Sequence, residues 1–383
     1  MGARRTAVAL PFALEELLDG WAAVRRAMRG PVPEPFARDE WAYLMTFTGD
    51  AELRDVFRAT FGEPAPDGPA DALAVPRGPV AVWLPNNVTL LGPLVTILLS
   101  LTGAATTFKV GGRAEDLTSP FVAWLREHAP VGPLRRWVRE YVQMFAVERG
   151  DPRSLELARE AAVRIAFGSD EGVEGVEALA HPATSQGFAF GNRRSEAWMS
   201  SARAAEPEVC DTLVRVFAIY GQAGCTAPRR VVVIGGSPED ARALRDRLIR
   251  CWPRIVPALP AMHIASANLA AAQQAAAAGW EPALVDGHRA MVACGPPSAP
   301  VIESVQSLFI TSATTDQAVT TAPVNLQTVG HALENPESRE WTQAILASGA
   351  ERFVPLARMH HFGPVWDGFA YWRGLFREVE IAS

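Results

Sequence analysis

The sequence predicts an α/β protein built on parallel sheet, with room for two domains. Three observations point there. From Val80 the pattern runs strand, helix, strand ("VAVWLP", "NNVTLLGPLVTILLSLTG", "ATTFKV"), a βαβ unit of the kind that builds a parallel sheet with a ligand crevice at its strand ends. A second strand and helix, "RRVVVIGG" then "SPEDARALRDRLIRCW", follow in the other half of the chain. The 383 residues, 49% hydrophobic and 20% charged, are long enough for two domains and too apolar for a disordered chain.

The elements follow in order. Residues up to about 60 read as amphipathic helices, for example "ALEELLDGWAAVRRAM". "GEPAPDGPADALAVPRGP" reads as a turn-rich linker into the βαβ unit. The unit recurs more loosely, with "SLELAREAA" as helix, "VRIAFG" as strand and Asp170 to Ala180 as helix. A helix around Val209 to Tyr220 leads into a glycine-flanked cysteine loop, and Arg230 to Ile234 has the β-branched density of a buried strand. Ser237 is placed to cap the next helix, with Glu239 and Asp240 in its first turn. "NLAAAQQAAAAGW" is a further, alanine-rich helix.

Several classes of function drop out. A net charge of −6 gives no reason to expect nucleic acid as a partner. The four cysteines (Cys210, Cys225, Cys251, Cys294) lie far apart with no C-x-x-C pair, which argues against a zinc site and against a secreted disulfide framework. Arg4 and Arg5 precede an apolar stretch, but Glu15, Glu16 and Asp19 follow with no small-residue cleavage site, so no signal peptide is expected. Val88 to Phe108 is uncharged for about a membrane span, yet Gly92-Pro93 interrupts it and no basic flank marks an inside end. A helix buried against a sheet is the better reading, and a cytoplasmic location is expected. No G-x-G-x-x-G follows any strand, so a dinucleotide, if bound, is held some other way. The adjacent His360 and His361 cannot easily share one ion and have no acidic pair beside them, so no metal site is expected. Asp367 in "WDG" reads as a turn residue.

Two residues stand out for chemistry. Lys109 is the chain's one lysine against thirty-five arginines, the Lys+Arg total being 36. A position that keeps a compact ammonium where the rest of the chain uses guanidinium suggests a need for that shape, although chance survival also explains it. Lys109 falls at the end of a predicted strand, where α/β folds bind ligands. Cys225 sits in "YGQAGCTAPRRVVV", where Gly221 and Gly224 would let backbone N–H groups approach a bound carbonyl oxygen. A loop of this kind can hold an accessible thiolate, and it can equally hold a structural cysteine; the residues alone leave both open. Cys210, Cys251 and Cys294 lack such glycines and read as structural.

The order "WLPNN", "TTFKVGG", "IAFGSDEGV", "FAFGNRRS", "YGQAGCTAPRRVVV" resembles the aldehyde dehydrogenase superfamily. Within it the chain is most similar to the LuxC-like acyl-CoA reductases, through "LQTVGHALE", "GAERFVPLARM" and "VWDGFAYWRGLFR". The resemblance covers about Val80 to Arg377 and implies an aldehyde-dehydrogenase-like α/β fold, two Rossmann-like parallel-sheet domains with a catalytic cleft between them. Residues 1–207 would form N-terminal helices and a cofactor domain, to which 350–383 returns, and residues 208–349 a catalytic domain carrying Cys225. By the same resemblance Cys225 is the nucleophile, and Asn87 donates its amide to the oxyanion beside the Cys225 backbone N–H. Lys109 holds the adenosine ribose, and Gly168 and Ser169 lie at the helix start that faces the pyrophosphate. Arg113, four residues beyond Lys109, is placed either to pair with a 2′-phosphate or as a solvated surface arginine. The first choice favours NADPH over NADH as cofactor.

Two departures matter. The loop reads Gly-Gln-Ala-Gly-Cys, one residue longer between Gln and Cys than the superfamily spacing. The glutamate that activates water in oxidising members would fall at about Ala189 or Phe190, and no acid lies between Gln186 and Ser195. Without a general base, water attack on an acyl-cysteine is slow, so exchange with a thiol is favoured. The expected activity is reduction of an acyl thioester to an aldehyde by NADPH, with acyl-CoA or acyl-carrier protein as partner and room for a homo-oligomer. An aldehyde dehydrogenase working oxidatively, or a non-redox acyl-relay subunit of the same fold, are the alternatives.

Overall fold

The computed structural model describes residues 6–62, 71–85, 88–111, 116–148, 150–222, 224–304, 306–361 and 363–381. The chain divides into two compact units, Met1–Gly191 with Phe362–Ser383, and Asn192–His361.

In the first unit, β1 (Thr6–Val8) and β2 (Ala72–Pro76) pair in parallel, and the C-terminal strand Phe376–Glu380 adds antiparallel to β2. The segment read as a turn-rich linker therefore contains a strand. Its partners lie at the two far ends of the chain, so nothing local announces it. Next come β3 (Val80–Trp83), β4 (Thr106–Gly111), β5 (Val142–Val147), β6 (Val163–Phe167) and β7 (Gln186–Phe190). They form a parallel sheet in the order β5-β4-β3-β6-β7. The chain winds outward from β3 through β4 and β5, then returns to the other side of β3 as β6. That reversal puts a topological switch point between β3 and β6, where open α/β sheets leave a crevice at the carboxyl ends.

Between β3 and β4 runs the helix Leu91–Ser100, buried from Gly92 to Ser100. It lies within the apolar stretch Val88 to Phe108, whose end enters β4; it is a core helix, and its packing explains its composition. At Gly92 a side chain would collide with the hydroxyl of Thr118. Trp21 Nε1 donates to Ser100 Oγ at 2.8 Å, tying the N-terminal helix Leu14–Ala27 to this layer. Among the described residues no helix is long and apolar enough to cross a membrane.

The second unit holds a seven-stranded sheet. Its strands are β8 (Arg194–Ser200), β9 (Pro228–Ile234), β10 (Glu281–Leu284), β11 (Met291–Cys294), β12 (Ser307–Ala313), β13 (Leu326–Ala332) and β14 (Arg352–Pro355), in the order β10-β11-β12-β9-β8-β13-β14. Only β10 is antiparallel to its neighbour. Val231 and Val233 of β9 pack on one face with Leu213, Phe217 and Leu244, while Val232 packs on the other with Trp198 and Val329. A strand buried on both faces reads as a continuous apolar run, which is why "RVVVI" was legible. After it, Ser237 and Asp240 close a reciprocal capping box on the helix Pro238–Ile255, at 3.2 and 2.8 Å.

Candidate active site

Because β8, β9 and β13 are parallel neighbours, their first residues lie along one sheet edge. Cys225 sits at that edge in a tight turn ahead of β9, closed by a bond from Ala227 N to Gly224 O at 3.0 Å. Three neighbours fix the loop. Ser195, at the start of β8, donates its hydroxyl to the Cys225 carbonyl at 2.8 Å. Gln222, with a left-handed φ of 66°, makes a double amide-to-peptide bond to Ser307 at the start of β12, at 2.7 and 2.9 Å. Thr226, next to the cysteine, is 2.6 Å from His360 Nδ1, and His360 Nε2 is 2.7 Å from the Val216 carbonyl. A carbonyl only accepts, so Nε2 carries the imidazole proton and Nδ1 receives the Thr226 hydroxyl. Burial lowers the His360 pKa to about 4, which keeps this clamp neutral. Both ring nitrogens of His360 are thus engaged in holding backbone and loop.

The sulfur itself has a partner. Gln327 Nε2 donates to Cys225 Sγ at 3.3 Å. Gln327 reaches it through a bulge: Leu326 pairs with Arg194 and Thr328 with Ser195, leaving Gln327 as the extra residue of β13. Bulges re-aim side chains in this way, and here the re-aimed group is a fully buried amide. An N–H donor stabilises a thiolate more than a thiol, as a reactive cysteine requires. Cys225 is partly exposed, in contrast to the buried Cys210 and Cys294. Burial pushes the Cys210 thiol to about 11 and that of Cys294 to about 12, and raises Cys251 as well. Those three thiols ionise less readily than an ordinary cysteine, which makes them poorer nucleophiles at neutral pH.

In the first unit, Lys109 lies opposite Trp83 near the carboxyl end of β4. It is half-buried; burial lowers its pKa, with Glu148 and Asp151 opposing the shift. Gly168 follows β6, its N–H donating to the Phe190 carbonyl at 3.1 Å, and a Cβ built there meets open space. Ser169 caps the helix Asp170–Glu177 by accepting from Gly172 N at 3.2 Å. Asp170 and Glu171 occupy that helix's first turn, so the chain supplies its own negative charge there. Asn87 and Arg113 lie outside the described residues, as does Ala223 of the cysteine loop.

At Ala189 and Phe190 the first unit presents aromatic packing. Phe190 stacks on Phe167 at 4.8 Å and meets Tyr371 edge-on at 5.4 Å. The next acid along the chain, Glu196, is fully buried, 2.7 Å from Arg230 Nε and accepting from Trp198 Nε1 at 2.9 Å. Burial raises its pKa, and Arg230 opposes the rise. It is engaged on both oxygens and is part of the core. Reading the sequence assigned a role to Cys225 but none to Gln327, Ser195 or Gln222, and it considered His360 only as a metal ligand. Gln327 stood within a quoted motif, "LQTVGHALE", without a role.

The comparisons agree with this architecture. By structure the chain is similar to a propionaldehyde dehydrogenase from Clostridium phytofermentans, at 13% identity and TM-score 0.60 over 97% of this chain and 93% of that one. It is similar to an NAD-dependent aldehyde dehydrogenase from Sinorhizobium meliloti, at 15% identity and TM-score 0.64 over 96% and 80%. A third likeness is to an NAD-dependent benzaldehyde dehydrogenase from Corynebacterium glutamicum, at 12% identity and TM-score 0.61 over 96% and 84%. At these identities the likeness is one of fold, and the fold is that of the aldehyde dehydrogenases. No curated protein matches the sequence. The family model of the LuxC acyl-CoA reductases matches residues 50–296, well over half of the chain. The chain belongs to the LuxC acyl-CoA reductase family.

Proposed function

We propose that the protein reduces an acyl thioester, carried by CoA or by an acyl-carrier protein, to an aldehyde through an acyl-enzyme on Cys225, with NADPH as the reductant. The observation that carries this reading is the hydrogen bond from Gln327 to the Cys225 sulfur, in a loop held by three other side chains. The thiolate attacks the thioester carbonyl, a C–S bond forms to Cys225, and the donor thiol leaves. Charge on the tetrahedral oxygen is met by the Cys225 backbone N–H and, by family resemblance, by the Asn87 amide. When bound, a nicotinamide would supply the hydride that takes the Cys225 acyl-enzyme to the oxyanion of a thiohemiacetal. Breaking its C–S bond frees the aldehyde and returns the Cys225 thiolate.

For the cofactor, the half-buried ammonium of Lys109 near the end of β4 and the open space at Gly168 after β6 flank the switch point, which supports a dinucleotide there. Lys109 would hold the adenosine ribose, with Gly168 and Ser169 beside the pyrophosphate. Arg113 would select the 2′-phosphate. Thioester chemistry is favoured over hydrolysis because no acid lies between Gln186 and Ser195, and Glu196 is committed to Arg230. The test is product analysis with a panel of acyl thioesters and NADPH. Aldehyde formed with stoichiometric free thiol supports the reading. Steady acid production from aldehyde plus NADP, with no thiol added, would replace it with the oxidative reaction.

A further inference from the structure

Beside the cysteine loop, the second unit contains a cavity of about 320 Å³ whose lining includes Arg194, Arg229, Arg230, Thr321 and Pro297. Three guanidinium groups in one cavity repel one another, and among the described residues Glu196 is the one carboxylate that lines it with them. The backbone brings them together on purpose-built geometry. Ser195 pairs with Pro228 and Glu196 with Arg230, so Arg229 is the extra residue of a bulge in β9. In a regular strand, consecutive residues point to opposite faces; the bulge lets Arg229 and Arg230 line the same cavity.

The charges do not cancel within the cavity. Arg230 is 4% exposed, with Nε 2.7 Å from Glu196 and Nη1 donating to Thr321 Oγ1 at 2.9 Å. Its Nη2 is buried and has no hydrogen-bond partner among the described residues. A buried charged donor without an acceptor is costly. Arg229 donates from Nη1 to the Ser304 carbonyl at 3.2 Å, with Glu303 at 4.0 Å. Arg194 pairs with the same Glu303, whose side chain is 61% exposed and sits on a surface loop. Three cations thus face one buried and one solvated carboxylate. We propose that this cavity binds the phosphate group of a ligand, gripped by Arg194, Arg229 and Arg230. The donors come from two adjacent strands, so a tetrahedral oxyanion meets them from several directions where a planar carboxylate meets them in one plane.

Two sources offer that chemistry: free orthophosphate, or the phosphate of the phosphopantetheine arm on which CoA and carrier proteins hold their thioesters. The second source rests on the function proposed above; the first does not. Ser195, which also lines the cavity, hydrogen-bonds the Cys225 carbonyl, so occupant and cysteine loop share a residue.

The experiment is calorimetric titration of the full chain with sodium phosphate, 4′-phosphopantetheine and pantetheine at matched ionic strength. Phosphate is expected to bind the wild type, with affinity lowered about tenfold or more in Arg229→Gln and in Arg194→Gln, each of which removes one charge-assisted contact. Both arginines are partly exposed, so neither variant depends on keeping the buried Arg230 pair intact; melting curves check that each is folded. Phosphopantetheine tighter than phosphate, with pantetheine silent, identifies the thioester arm as the source. Equal affinities identify free phosphate. Phosphate heats no larger than those of sodium chloride, or equal binding by the wild type and both folded variants, would overturn the site. Because the readout is binding, a failure here is separate from a failure of Cys225 acylation.

Discussion

The side-chain amide of Gln327 donates to the sulfur of Cys225 across 3.3 Å, although the two residues are 102 positions apart in the chain. The bond exists because a bulge in β13 adds one residue at the edge where β9 begins. The donor lowers the cost of a negative charge on sulfur, which is the property a nucleophilic cysteine needs.

Replacing Gln327 with Glu should therefore slow the reaction of Cys225. The substitution keeps size and exchanges an N–H donor for a carboxylate that repels a thiolate. Alkylation of Cys225 at neutral pH is expected to fall about tenfold or more, the scale of a hydrogen bond to a charged group. A pH profile of the alkylation rate should move to higher pH. An unmoved profile contradicts a role for Gln327 in thiolate stabilisation.

Native-state labelling should be selective. Burial raises the thiols of Cys210 and Cys294 to about 11 and about 12, and raises that of Cys251, which is partly exposed; Cys225 is also partly exposed and accepts a hydrogen bond from Gln327. Iodoacetamide at pH 8 should add one carbamidomethyl group per chain, on the Cys225 peptide. Equal labelling of all four cysteines runs against the contrast drawn here.

His360 predicts an acid limb in stability. Its folded pKa, about 4, lies below the ordinary value of 6.5, so the unfolded chain binds the extra proton first. Its contribution is complete above roughly pH 6.5 and is lost as pH falls toward about 4, on the order of 3 kcal/mol in all. A His360→Gln protein should show a flatter loss of urea midpoint between pH 7 and pH 4 than the wild type. Parallel curves would mean that His360 titrates normally.

Lys109→Met should separate cofactor binding from chemistry. Removing the ammonium is expected to raise the cofactor KM about tenfold or more, with a smaller change in the rate of Cys225 acylation by a thioester alone. Lys109→Arg should not restore it fully, because a planar fork does not replace a half-buried point charge. An unchanged cofactor KM in Lys109→Met removes the ribose assignment.

The legibility of this chain was uneven, for physical reasons. The strands "VAVW" and "RVVVI" could be read because both-face burial leaves an uninterrupted apolar run, while β4 alternates buried and half-buried residues around Phe108 and Val110. Strand β8 hid because its first residues, Arg194, Ser195 and Glu196, are polar; they are buried or half-buried by hydrogen bonds and ion pairs that only the folded sheet supplies. Strand β2 hid inside a proline-rich stretch because both of its partners are distant in sequence. Gln327 could not be assigned because its direction depends on a bulge, and a one-residue irregularity has no signature in composition or period. Cys225 was found because glycine punctuation marks a loop locally. The side chains that hold it come from Ser195, Gln222, Gln327 and His360, four separate places in the chain.

The most direct measurement is the mass of the Cys225 peptide after a brief mix of the protein with an acyl thioester, with reductant withheld and then added. A stable increment equal to the acyl group on Cys225, discharged as aldehyde once NADPH arrives, is the predicted result. Aldehyde accumulating while Cys225 remains unmodified in every sample would contradict the covalent route.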